Sequence, residues 1–206
     1  MPGQIAVYHV FDYDGCIGNN RNQKLTPKQL VDSMADFLDL LKKEEPDNSR
    51  AYVSIGTARQ SRYYDMLSMF GNNSTSCFGL YEAIAAYWGV ELDRFLLADL
   101  QNEALDEENC FLKLVDPSYK EKHNDWYFDE SKVTLLYAKM HRGALLNPDS
   151  PVIINFYDDN EEILFNLEDF FTEYDDLIPE NVILRLCHCV DRGRAYEDHV
   201  TLTGHE

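Results

Sequence analysis

Positive charge is scarce in this chain. Against 37 Asp and Glu there are 18 Lys and Arg in 206 residues, a formal net charge of -19. Duplex nucleic acid is held by clustered Lys and Arg on its phosphates, so this balance argues against a nucleic-acid binder. An anionic membrane surface would be repelled as well. Long apolar runs are also lacking, and no stretch approaches the length of a membrane span. No basic region precedes the first apolar residues, as a secretory signal peptide requires. Cysteines number 5: Cys16, Cys77, Cys110, Cys187 and Cys189. An odd count without framework spacing fits a reducing compartment, and the expected location is cytoplasmic. Cys187-His188-Cys189 has the look of a zinc half-site, but no second pair follows. Core packing is the reading for both cysteines. A phosphorylated substrate is compatible with so acidic a chain only if its site carries local positive charge, which points to a metal.

What is present is an alternation of strands and helices. Apolar runs at 4–11, 51–56, 95–98, 152–157 and 182–189 read as strands, the first covered on both faces. A helix starts at Thr26-Pro27-Lys28-Gln29, with Thr26 as N-cap, Pro27 at the first helical position and Gln29 closing a capping box. Leu30, Met34, Phe37, Leu38 and Leu41 continue it at helical spacing to about Pro46. Further helices are expected over 60–70, 80–89, from about 130, and over 161–171. The helix from 130 carries Val133, Leu136, Tyr137 and Met140 on one face. Residues 100–128 read as an irregular acidic insertion, and the polar end of the chain shows no element. The expected fold is α/β, a Rossmann-like three-layer sandwich with a mainly parallel central sheet, as one domain over 1–206. Ligands of such sheets bind at the carboxyl ends of the strands. Asp12, Thr57 and Asp158 each lie just past or at the end of an expected strand.

Asp12 and Asp14 are two residues apart, so in a continuous strand they point the same way and repel. Asp158 and Asp159 form a second pair at another strand end. Any one of these suits a turn or a helix cap. Two pairs at corresponding strand ends, if the strands are neighbours, suit a cation better, and all-oxygen ligands suit Mg2+.

The stretch FDYDGC resembles motif I of the haloacid dehalogenase (HAD) superfamily, DxDGx after a buried strand. GTAR at 56–59 is similar to motif II, Lys132 to motif III, and NFYDDN at 155–160 to motif IV, in the family's order. The resemblance implies a phosphoaspartyl phosphatase. Asp12 is then the nucleophile and Asp14 the general acid and base. Mg2+ is held by Asp12, the Asp14 backbone carbonyl and Asp158, with Asp159 a second-layer or water-mediated ligand. Thr57 is preferred to Ser54 for holding a phosphate oxygen, with help from the amides that follow it. The hydroxyl of Ser54, inside its strand, is expected to face a helix. Lys132 is preferred to Lys139, which lies too far along its helix. After Asp129 and Ser131, Lys132 falls in a first helical turn, against the dipole. Arg59 either reaches the substrate or is a solvated surface arginine. Ala58 departs from the family's usual Thr-Gly.

Between Asp14 and Thr57 there is room for one helix, which excludes a large cap there. A nearly capless enzyme of this superfamily implies a phosphorylated protein or peptide substrate, and some capless relatives act on phosphotyrosine. GTARQS and DESKVTLLYAKMH also resemble stretches of HAD-like phosphatase effectors that Legionella-type pathogens inject into host cells, which implies the host cytoplasm. A small-molecule phosphatase with 100–128 as lid, and a non-catalytic HAD-like interaction module, stay open as alternatives.

Overall fold

The computed structural model describes residues 3–18, 25–60, 65, 76–97, 132–191 and 193–204. The expected helix at 60–70, the insertion at 100–128, Ala98, Asp129 and Ser131 fall wholly or largely outside them. A six-stranded sheet runs in the order β3-β2-β1-β4-β5-β6. Its strands are β1 (Ile5–Phe11), β2 (Ser49–Ile55), β3 (Glu91–Asp93), β4 (Val152–Asp158), β5 (Val182–Val190) and β6 (Ala195–Thr203). All pairings are parallel except β5 with β6.

The strand alternation buries both faces. On one side Phe11, Val53 and Ile55 pack beneath α1 (Pro27–Ser33), α2 (Ala35–Glu44) and α3 (Cys77–Trp88). On the other, Ala6, Tyr8, Val10, Ile154 and Phe156 meet α4 (Val133–Leu146) and α5 (Glu161–Glu173). The architecture is therefore α/β, a mostly parallel sheet between two helical layers. No helix among the described residues is long and apolar enough to cross a membrane.

The capping box forms as expected. The Thr26 amide donates to Gln29 Oε1 at 2.9 Å, and the Gln29 amide to Thr26 Oγ1 at 3.3 Å. The helix it starts is not continuous to Pro46. Ser33 Oγ donates back to the Leu30 carbonyl at 2.7 Å, and Met34 leaves helical geometry at φ -116°, ψ 13°. A hydroxyl that bonds its own preceding turn bends a helix, which splits this one into α1 and α2.

Two strand expectations change. The third strand is Glu91–Asp93 and not 95–98. Its register with Tyr52–Ser54 sets it there, and Phe95, Leu96 and Leu97 are buried outside the sheet. The strand at 182–189 is followed by another, β6, which lies at the sheet edge with alternating polar residues and carries no continuous apolar signal. On α4, Tyr137 is 40% exposed, and its place in the buried face is taken by Leu135 and Lys139.

Lys139 explains its own burial. Its Nζ donates to Ser54 Oγ at 2.7 Å and lies 3.6 Å from Asp93 Oδ2, while Arg142 holds the other Asp93 oxygen at 2.9 Å. Ser54 thus faces a helix, as expected. Burial pushes the Asp93 carboxyl up in pKa, but Lys139 and Arg142 outweigh it and hold the group below the usual range. Removing one partner of a buried pair strands the other charge. Asp93→Ala should therefore lower stability by about 3–5 kcal/mol in urea titration. A loss below about 1 kcal/mol would show that Lys139 does not depend on Asp93.

Candidate functional site

Three loops meet at the carboxyl ends of β1, β2 and β4. The Asp12 amide donates to the Tyr157 carbonyl at 2.8 Å, and the Gly56 amide to the Phe11 carbonyl at 2.8 Å. Two glycines allow the approach. Gly15 has φ 87°, and a side chain there would overlap the Asp159 carboxylate. A Cβ on Gly56 would lie 2.6 Å from the Phe11 carbonyl oxygen. Both positions need the smallest residue.

Asp12 and Asp158 are buried side by side, and Lys132 stands between them. Its Nζ donates to Asp12 Oδ1 at 2.6 Å and to the Gly56 carbonyl at 3.0 Å, and lies 3.9 Å from Asp158 Oδ2. Lys132 is not in the first turn of α4. It is the N-cap, in left-handed geometry at φ 68°, ψ 1°. That conformation costs a residue with a side chain about 1–2 kcal/mol. The helix starts at Val133 and not at about 130, with the lysine pointing into the site.

Asp158 Oδ1 accepts the Asn160 amide at 2.9 Å, while its Oδ2 is buried with no hydrogen-bond partner among the described residues. Asp12, Asp158 and Asp159 each offer a carboxylate oxygen within 4.8 Å of the others. Burial raises the pKa of Asp12, with Lys132 pulling it back. Burial, then the Asp12 charge, pushes Asp158 up to about 7. Burial and Asp12 also raise Asp159. One ammonium does not balance three carboxylates. The group either keeps a proton or takes a further cation, and its oxygens are the donors a hard divalent ion prefers.

Asp14 is turned elsewhere. β1 ends at Phe11, so strand alternation does not carry to residue 14, which lies in an irregular turn over Tyr13–Ile17. Its side chain is 66% exposed, and both oxygens are 3.0 Å from one Arg59 nitrogen. Arg59 is neither solvated nor free. It is buried, packs 4.7 Å over the Tyr13 ring, and pairs with buried Asp65 at 3.4 Å.

Thr57 is buried two residues past β2, where its hydroxyl accepts the Arg59 amide at 3.3 Å. The Gln60 amide bonds the Ala58 carbonyl at 2.8 Å. Two of the amides expected to hold phosphate are thus already engaged within the loop. Gln60 pins the turn further, donating to the Thr57 carbonyl at 2.7 Å and accepting the Leu97 amide at 3.1 Å.

The cysteines contain the largest surprise near the site. Cys16 and Cys189 form a disulfide, so Cys189 is not a simple core thiol, while Cys77 and Cys187 are free and buried. The bridge ties the turn after Asp12 to the end of β5. Nothing in the spacing of 173 residues marked the pair, which the topology alone brings together.

No protein-family model, curated protein or solved structure matched the chain.

The raised Asp158 sets a direction for stability. Its pKa is about 7 in the folded chain, against about 4 unfolded. Between those values the folded state holds a proton that the unfolded state has released. The contribution is full below pH ~4 and is lost as pH rises through ~7. In EDTA, Asp158→Asn should flatten the fall in Tm across this window and raise Tm at pH 8. An unchanged slope would mean that Asp158 is not the group being titrated.

Proposed function

We propose that the chain is a Mg2+-dependent phosphomonoester hydrolase of the HAD type, working through a phosphoaspartyl intermediate on Asp12. The observation that carries this reading is Lys132 in contact with buried Asp12, beside an Asp158 oxygen that has no hydrogen-bond partner among the described residues, at the ends of adjacent parallel strands. A fold that only packed or only bound a partner has no need to bury like charges together. That weighs against the interaction-module alternative.

The residues fit a divalent ion. Asp12, Asp158 and the Asp14 backbone carbonyl would hold it, and the Asp159 carboxylate lies in the same group. Bound Mg2+ supplies charge that offsets the phosphate dianion and aligns it for in-line attack.

The chain's own groups divide the rest. Lys132 orients the Asp12 carboxylate through Oδ1 and neutralises part of the charge that gathers at phosphorus. An Asp12 oxygen attacks phosphorus, the bond to the leaving oxygen breaks, and Asp14 gives that oxygen a proton. Water then attacks the same phosphorus and loses a proton to the Asp14 carboxylate. The acyl phosphate bond breaks, which restores Asp12 and releases phosphate. Thr57, at the neighbouring strand end, would meet a phosphate oxygen.

Exposure of Asp14 supports a protein substrate. Asp14 stands 66% open, as a site that receives a phosphorylated side chain on a protein requires. Phosphotyrosine is the best candidate, because a phenol near pKa ~10 leaves more readily than an alcohol. The working compartment in this reading is the cytoplasm, that of a host cell if the chain is a translocated effector, and the Cys16–Cys189 bridge runs against the reducing compartment expected from the cysteine count.

A screen of phosphotyrosine peptides, phosphoserine peptides, sugar phosphates and nucleotides tests both levels. Turnover should need Mg2+, vanish in EDTA, and fall at least about a thousandfold in Asp12→Asn. Phosphotyrosine peptides should show the highest kcat/KM. Activity that survives Asp12→Asn would end the phosphoaspartyl reading. A sugar phosphate that outperformed every peptide would move the assignment to the small-molecule alternative.

A further inference from the structure

We infer that Arg59 is a positioning residue, which sets the direction of the Asp14 carboxylate and so determines how well the site expels poor leaving groups. The inference rests on the phosphatase reading above and adds to it a part that the motifs do not assign.

Asp14 has little in its own loop to hold it. It lies on a turn whose next residue, Gly15, has φ 87°, and its side chain is mostly in solvent. Such a carboxylate, left alone, samples several rotamers. A group that delivers a proton must keep one direction, since small misplacements cost rate. Arg59 supplies the constraint. One of its terminal nitrogens is 3.0 Å from both Asp14 oxygens.

Arg59 is itself fixed from three sides. Its guanidinium packs over Tyr13, its other terminal nitrogen is 3.4 Å from Asp65 Oδ1, and its amide donates to Thr57 Oγ1. Asp65 is buried and is held in turn. Its Oδ2 accepts Ser76 Oγ at 2.6 Å and its Oδ1 the Cys77 amide at 2.9 Å, at the start of α3. The exposed carboxylate is thus connected through one guanidinium to the N-terminus of α3. A solvated arginine has no need of the Tyr13 and Asp65 contacts. An arginine that only neutralised Asp65 has no need to reach Asp14.

The test separates positioning from a merely structural role through the leaving group. Release of the leaving group is followed in a single turnover, with Mg2+, for 4-nitrophenyl phosphate and for a phosphoserine peptide. The nitrophenolate departs almost without acid help, and the serine alkoxide does not. Arg59→Met should slow the phosphoserine reaction at least about tenfold more than the nitrophenyl reaction. Arg59→Lys should recover part of the difference, since it keeps a cation near Asp14. Asp14→Asn should show the same split, which adding Arg59→Met should not widen.

Equal losses on both substrates, or a double variant whose split is the product of the single ones, would overturn the inference and leave Arg59 a structural or phosphate-contacting residue. If Arg59→Met does not fold, Arg59→Lys alone decides, by a split of the same sign or none. Wild-type protein that hydrolyses neither substrate would sink the phosphatase reading itself. An active wild type with uniform losses would sink only this one.

Discussion

Burying two carboxylates next to each other is the constraint around which this molecule is arranged. Asp12 and Asp158 end adjacent parallel strands, and each is almost fully withdrawn from water. Isolated, either charge would be intolerable there. Lys132 makes the arrangement possible, reaching in from the start of α4 to contact Asp12 and stand near Asp158. The compensation is partial, as the raised Asp158 shows. The shortfall of positive charge around Asp12, Asp158 and Asp159 is the ground on which a cation is proposed there.

The sheet converts sequence separation into proximity. Residues 12, 57, 132 and 158 come together because β1 is the central strand, with β2 on one side and β4 on the other. The backbone ladder runs one step past the strands, through the Asp12 amide to the Tyr157 carbonyl, and so fixes the nucleophile candidate as firmly as the core beneath it. The Cys16–Cys189 bridge and the Asp14–Arg59–Asp65 series then hold the turn that follows from two other directions.

Much of this was legible in the residues. Apolar runs that end in aspartate marked β1 and β4, because a strand buried on both faces cannot take a charge except at its end. The capping box at Thr26 fixed a helix start through two local hydrogen bonds. That Ser54 faces a helix followed from its depth in the strand, whereas the burial of Lys139 against Ser54 and Asp93 did not. What stayed hidden depended on distant partners. Whether an arginine in a loop is solvated or buried is decided by Tyr13 and Asp65, not by its neighbours in sequence. Left-handed Lys132 is set by its contacts in the site, whereas the dipole argument placed it inside the helix. β6 escaped because an edge strand has one partner and tolerates polar residues on its open side.

The central claim is that Asp12 itself takes the phosphoryl group, and covalent trapping tests it most directly. The protein would be mixed with Mg2+ and a phosphotyrosine peptide, quenched during turnover, and reduced with borohydride. Mass spectrometry of the peptide around residue 12 then reads the site. The account predicts that the acyl phosphate is reduced to the alcohol at Asp12, with Asp14 and Asp158 unmodified. Reduction at another carboxylate, or rapid turnover with no trapped aspartate at any position, would contradict it.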